Sequence, residues 1–112
     1  MKALKIPFFP SLAVTLILAG FNVYAADPSI CNYGANVVLH NNGSLMSCQL
    51  QDVYETNGIR CKSDAPINFY DNGNLESCTL ETETTVAGYK CQDDQPIYFH
   101  NDGKLRSCKI TE

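Results

Sequence analysis

Six cysteines are the residues best able to do chemistry in this chain, and they stand at 31, 48, 61, 78, 91 and 108. Thiols can hold a metal, exchange electrons or bond to one another. Zinc sites draw on pairs at Cys-x2–4-Cys spacing, yet no two cysteines here are closer than 13 residues. A dithiol catalyst takes the Cys-x-x-Cys form, which is absent. Structural disulfides remain, and an even cysteine count suits them.

The other reactive side chains are weaker candidates. His40 and His100 occupy equivalent places, but Tyr70 stands at the place between them. A strand residue beside a turn explains all three. Ser47, Ser77 and Ser107 each precede a cysteine, and none lies in a Gly-x-Ser-x-Gly elbow. A nucleophile has no need of three copies, so a small residue packed beside a disulfide is the expectation. Asp71, Asn72, Asp93, Asp94 and Asp102 lie near glycines. They do not follow the spacing of a calcium loop, and turn chemistry accounts for them. No glycine-rich phosphate loop is present. The chain carries 8 Lys and Arg against 12 Asp and Glu, a formal charge of -4. That balance disfavours a nucleic-acid footprint. The expectation is a non-enzymatic protein with no cofactor, no metal and no catalytic residue.

The first 25 residues read as a secretory signal peptide. Lys2 and Lys5 form a positive start, an apolar stretch runs from Ile6 to about Gly20, and Val23-Tyr24-Ala25 offers a cleavage site before Ala26. Pro7 and Pro10 break the apolar run, which a membrane-spanning helix needs unbroken for roughly 20 residues. Cleavage leaves 87 of the 112 residues and removes both lysines, so the charge becomes -6. A secreted or periplasmic destination follows, with no membrane anchor after cleavage. A domain of residues 26–112 is short for a self-sufficient core. An oxidising compartment lets disulfides hold such a chain together.

The cysteine steps are 17, 13, 17, 13 and 17, which is a period of 30. Three units follow: 31–60, 61–90 and a shortened 91–112. All three share both cysteines, the glycine at 43, 73 and 103, the leucine at 45, 75 and 105, and the serine at 47, 77 and 107. Agreement at one fixed period marks a repeat architecture. Pro66-Ile67-Asn68-Phe69-Tyr70 and Pro96-Ile97-Tyr98-Phe99-His100 read as strands. Asp71-Asn72-Gly73 and Asn101-Asp102-Gly103 read as turns, because Gly43, Gly73 and Gly103 can take positive φ. A second strand starts at Leu75, and Val86 to Cys91 reads as a third, shorter one. The expected fold is all-β: an antiparallel meander of three tandem hairpin repeats of about 30 residues, stapled by disulfides. Whether the sheet is open or closes into a barrel is left undecided. Leu75 and Cys78 are three apart, so a regular strand would point them to opposite faces. A bulge near Ser77, or a sheet buried on both faces, would resolve this.

Phe69-Tyr70-Asp71-Asn72-Gly73-Asn74-Leu75-Glu76-Ser77, and its copy over residues 99–107, resemble the YYxNGxLxS core of bacterial MORN-like repeats. The likeness covers about ten residues of each unit. The longer period and the paired cysteines depart from that pattern. The resemblance implies tandem β-hairpin units and, for some members of that family, an antitoxin-like role.

Two pairings respect the repeat. One staples each unit: Cys31–Cys48, Cys61–Cys78 and Cys91–Cys108. The other joins successive units, Cys48–Cys61 and Cys78–Cys91, and leaves Cys31 and Cys108 over. The framing of the array favours the first. Strand geometry speaks partly for the second, since two strand spacings exceed the reach of a disulfide unless the turn before Pro96 folds back.

Tyr70, Tyr98, His40 and His100 recur at related places and form a candidate binding surface. The functional expectation is an exported binding module, whose partner is a protein or an envelope component, and a monomer by default. A secreted or periplasmic inhibitor or immunity-type protein that neutralises a toxin or hydrolase is the alternative. A small hydrolase is the remote one.

Overall fold

The computed structural model describes residues 26–34 and 36–111. The signal segment expected over residues 1–25 lies outside the described residues. Among the described residues ten strands run in chain order: β1 (Val38–Leu39), β2 (Leu45–Gln49), β3 (Tyr54–Thr56), β4 (Ile59–Cys61), β5 (Pro66–Phe69), β6 (Leu75–Thr79), β7 (Thr84–Val86), β8 (Tyr89–Cys91), β9 (Pro96–Phe99) and β10 (Leu105–Cys108). The only helical turn among the described residues is a 3-10 turn over Pro28–Ile30, capped by the Asp27 carboxylate.

Six strands form one open antiparallel sheet in the order β1-β2-β5-β6-β9-β10. Its hairpins are β1-β2, β5-β6 and β9-β10, one per unit. Two small hairpins, β3-β4 and β7-β8, interrupt the meander between them. Val86 to Cys91 is therefore not one strand. It crosses the turn of the second small hairpin at Ala87-Gly88. Asn57 (φ 55°) with Gly58 (φ 76°), and Ala87 (φ 52°) with Gly88 (φ 85°), both take positive φ. That pair of values defines the two-residue turn whose twist matches its strands.

The turns of the main hairpins are longer. The Gly73 N–H donates to the Tyr70 carbonyl at 3.0 Å, and the Tyr70 N–H donates to the Asn74 carbonyl at 2.9 Å. This is a three-residue loop closed by a glycine at φ 91°. The Asn72 side chain steadies it by accepting from the Asn74 N–H at 2.9 Å.

A bulge settles the phase of β6. Phe69 faces Leu75, Asn68 faces Ser77 and Ile67 faces Cys78, so Glu76 is the extra residue. Leu75 and Cys78 can then both point inward, and each is almost wholly buried. The same irregularity occurs in β1-β2 and β9-β10.

The small hairpins cover the apolar face of the sheet. Leu45, Leu50, Ile67, Leu75, Leu80 and Ile97 are the largest side chains fully buried beneath them. Each such leucine or isoleucine contributes about 1.5–3 kcal/mol on burial. Tyr54 of β3 meets Phe69 edge to face, with ring centroids 6.3 Å apart. Ile59 on β4 is buried in the same cluster.

The disulfides join Cys31 to Cys48, Cys61 to Cys78 and Cys91 to Cys108, with Cα separations of 5.8, 5.7 and 5.6 Å. Pairing between units does not occur, because the chain after β4 folds back. Cys61 lies antiparallel to Leu80. The Lys62 N–H donates to the Thr79 carbonyl at 2.8 Å, and the Glu81 N–H donates to the Arg60 carbonyl at 2.9 Å. The end of β4 thus runs beside the end of β6, one strand spacing away. All six cysteines are bonded, which is the chemistry of an oxidising compartment. Among the described residues no helix is long and apolar enough to cross a membrane.

Candidate functional site: the open face of the sheet

Neighbouring strand residues alternate between faces. The residues between the buried ones therefore line the face that no hairpin covers. The registers place one residue of each strand in a single row across all six: Val38, Ser47, Asn68, Ser77, Tyr98 and Ser107, with Ser77 itself buried in the middle of the row. The serines are identical in every unit, whereas valine, asparagine and tyrosine fill the alternating places. Asn68 donates through Nδ2 to the Ser77 hydroxyl at 3.0 Å. The Arg106 guanidinium lies 5.2 Å from the centre of the Tyr98 ring, within reach of a cation–π attraction. Arg106 is the bulge residue of the third unit, and Met46 and Glu76 stand at the same place in the others. At the first-unit end an open recess of about 360 Å³ is lined by Asn36, Ser47, Cys48, Gln49, Pro66 and Asn68.

The serines thus face away from the disulfides, contrary to a packing role beside them. One residue of separation on a strand is enough to send serine and cysteine to opposite sides.

The four candidate binding residues do not act together. His40 Nε2 lies 2.8 Å from the Phe69 carbonyl, so that nitrogen carries a proton. The Tyr70 hydroxyl donates to the Phe99 carbonyl at 2.7 Å. Each reaches from one unit to the next and caps a carbonyl just past the strand ladder, which ends at Asn68 and at Tyr98. Both side chains are half-buried struts, not a free surface. His100, in the last described unit, is exposed. Tyr98 belongs to the open face.

The turn residues tie the units together as well. Asn42 Nδ2 donates to the Asp71 carbonyl at 2.9 Å, and Asn74 Nδ2 donates to the Asn101 carbonyl at 2.7 Å. On the opposite edge Asn32 donates to the Asp64 carboxylate at 3.4 Å, and Lys62 pairs with Asp94. The hydrogen bond and charge of Asp94 raise the Lys62 pKa above its usual 10.5. Asp64 and Asp94 hold φ of 58° and 59°.

Arg106 was not foreseen as a surface residue. Its signal was variation: position 106 differs in type from 46 and 76 although the flanking leucine and serine do not change. Among the described residues no group of His, Cys, Asp and Glu is placed to hold a metal ion. No family model matches the chain, and comparison with curated proteins and with solved structures found none similar to it.

Proposed function

We propose that this is an exported, non-enzymatic binding module that holds a protein or envelope component against the open face of its sheet. The observation that carries this reading is the row from Val38 to Ser107 on the face away from the small hairpins, with Arg106 over the Tyr98 ring. Tyrosine and arginine are the residue types on which binding energy concentrates. A sheet rigidified by three disulfides loses little freedom on binding, which lowers the cost of association. Export through the signal segment fits the fully bonded cysteines. The same reading takes the tandem hairpins as a cysteine-paired variant of MORN-like repeats.

The charge of -6 left after cleavage favours a second form of the same reading, an inhibitor or immunity-type protein that captures a basic partner by electrostatic steering. Affinity capture with wild-type and Tyr98→Ala protein, followed by NMR shift mapping with the recovered partner, tests both. Retention lost in Tyr98→Ala, with shifts along the open row, is the expected result. Equal retention by the variant, or shifts confined to the small hairpins, overturns it. Release by moderate salt distinguishes the steered, basic partner.

A further inference from the structure

We infer that the two ends of the array fit each other, so that the third unit of one copy accepts the first unit of a second copy as its next repeat. This goes beyond the binding role of the open face and does not depend on it.

The argument starts from positions separated by the 30-residue period. Ile67 is 0% exposed and Phe69 2%, but their first-unit equivalents Val37 and Leu39 are 41% and 48% exposed. Ile59 is 3% exposed and Leu80 0%, while their equivalents at the other end, Tyr89 and Ile110, are 57% and 45% exposed. The same places that make the core inside the array are open at its ends. Repeat proteins usually close their ends with polar faces, and here each end leaves apolar side chains exposed.

The backbone is prepared for the contact. Inside the array, β2 pairs with β5 and β6 with β9, each through three residue pairs. Continuing the period sets Ser107 opposite Val38, Cys108 opposite Val37 and Lys109 opposite Asn36 of the second copy. Lys104, Arg106 and Lys109 on and beside β10 discourage random strand pairing, yet β1 carries no charge to oppose them. Leu50 and Leu80 each accept a hydrogen bond at 2.9 Å from a left-handed residue of the next unit, Asp64 and Asp94. Gly34 already holds that conformation at φ 69°, placed to meet Ile110 in the same way. His100 stands where Tyr70 does and can donate to the carbonyl of Leu39. The Lys62–Asp94 tie has no counterpart, because Gly34 replaces the aspartate.

Such a contact joins different surfaces, so it propagates from copy to copy. Sedimentation equilibrium on the oxidised protein tests it. Wild-type mass is expected to rise with concentration beyond that of a dimer. Leu39→Lys, blocked at the first-unit end, and Tyr89→Lys, blocked at the other, are each expected to stay monomeric. Mixed together they are expected to form a one-to-one dimer and nothing larger. Val37→Lys and Ile110→Lys serve if either variant fails to form its three disulfides. A wild type that stays monomeric at every concentration overturns the inference. So does a dimer that forms in one singly blocked variant alone, since that contact would join like surfaces.

Discussion

The side chains that look most like a ligand surface are largely spent on holding the units together. Tyr70 shows this directly, because its hydroxyl satisfies a carbonyl that the strand ladder leaves open. Tyr70→Phe keeps the ring and removes that donor. A loss of about 1 kcal/mol is expected, read as a lower denaturation midpoint with the fold retained. Ala87 makes the opposite point. It sits at φ 52°, where an L-residue other than glycine or asparagine is strained. Its counterpart in the first small hairpin is Asn57. Ala87→Asn is expected to stabilise the protein by about 0.5–1 kcal/mol, measured by the same denaturation. The left-handed demand at 87 could be suspected from Gly88 beside it. The fate of Tyr70 could not, since it depends on where a carbonyl 29 residues away comes to lie.

Among the elements, the main hairpins were legible because their turns carry glycine at a fixed period. The small hairpins were legible only in part. Asn57-Gly58 is as strong a turn signal as any in the chain, but Ala87-Gly88 is a weaker one, and Val86 to Cys91 reads as a single strand. The bulge was visible as a conflict of phase between Leu75 and Cys78. Only the register shows that Glu76 resolves it. The staples are the decisive elements energetically. Each closes a loop of the same 17-residue separation, so the chain-entropy contribution is the same for all, about 3 kcal/mol. Differences between them report packing. Cys61 and Cys78 are both buried, whereas Cys108 is half-buried. Replacing Cys61 and Cys78 by alanine is expected to cost more than replacing Cys91 and Cys108, compared by thermal denaturation. Full reduction removes a sum comparable to the about 5–15 kcal/mol of a whole domain. Loss of the near-ultraviolet spectrum in excess dithiothreitol is the expected outcome, and an unchanged melting point would count against it.

For the molecule as a whole, stability follows position along the array. Each unit touches only its neighbours, so the middle hairpin β5-β6 has a partner on both sides. Backbone amides of Ile67, Phe69 and Cys78 are expected to exchange slowest with solvent, and those of β1 and β10 fastest. Hydrogen exchange followed by NMR reads this gradient. Uniform protection across the six strands would show that the units do not open separately.

The bonds within each unit join cysteines that are consecutive in the chain: first with second, third with fourth, fifth with sixth. If the chain is exported as proposed, it emerges with its amino end leading, and its thiols reach an oxidant in that same order. Pairing each new thiol with the one just before it yields the native set directly. Every intermediate on that route holds only bonds that persist in the finished protein. On that route no isomerase is needed to correct a wrong pair.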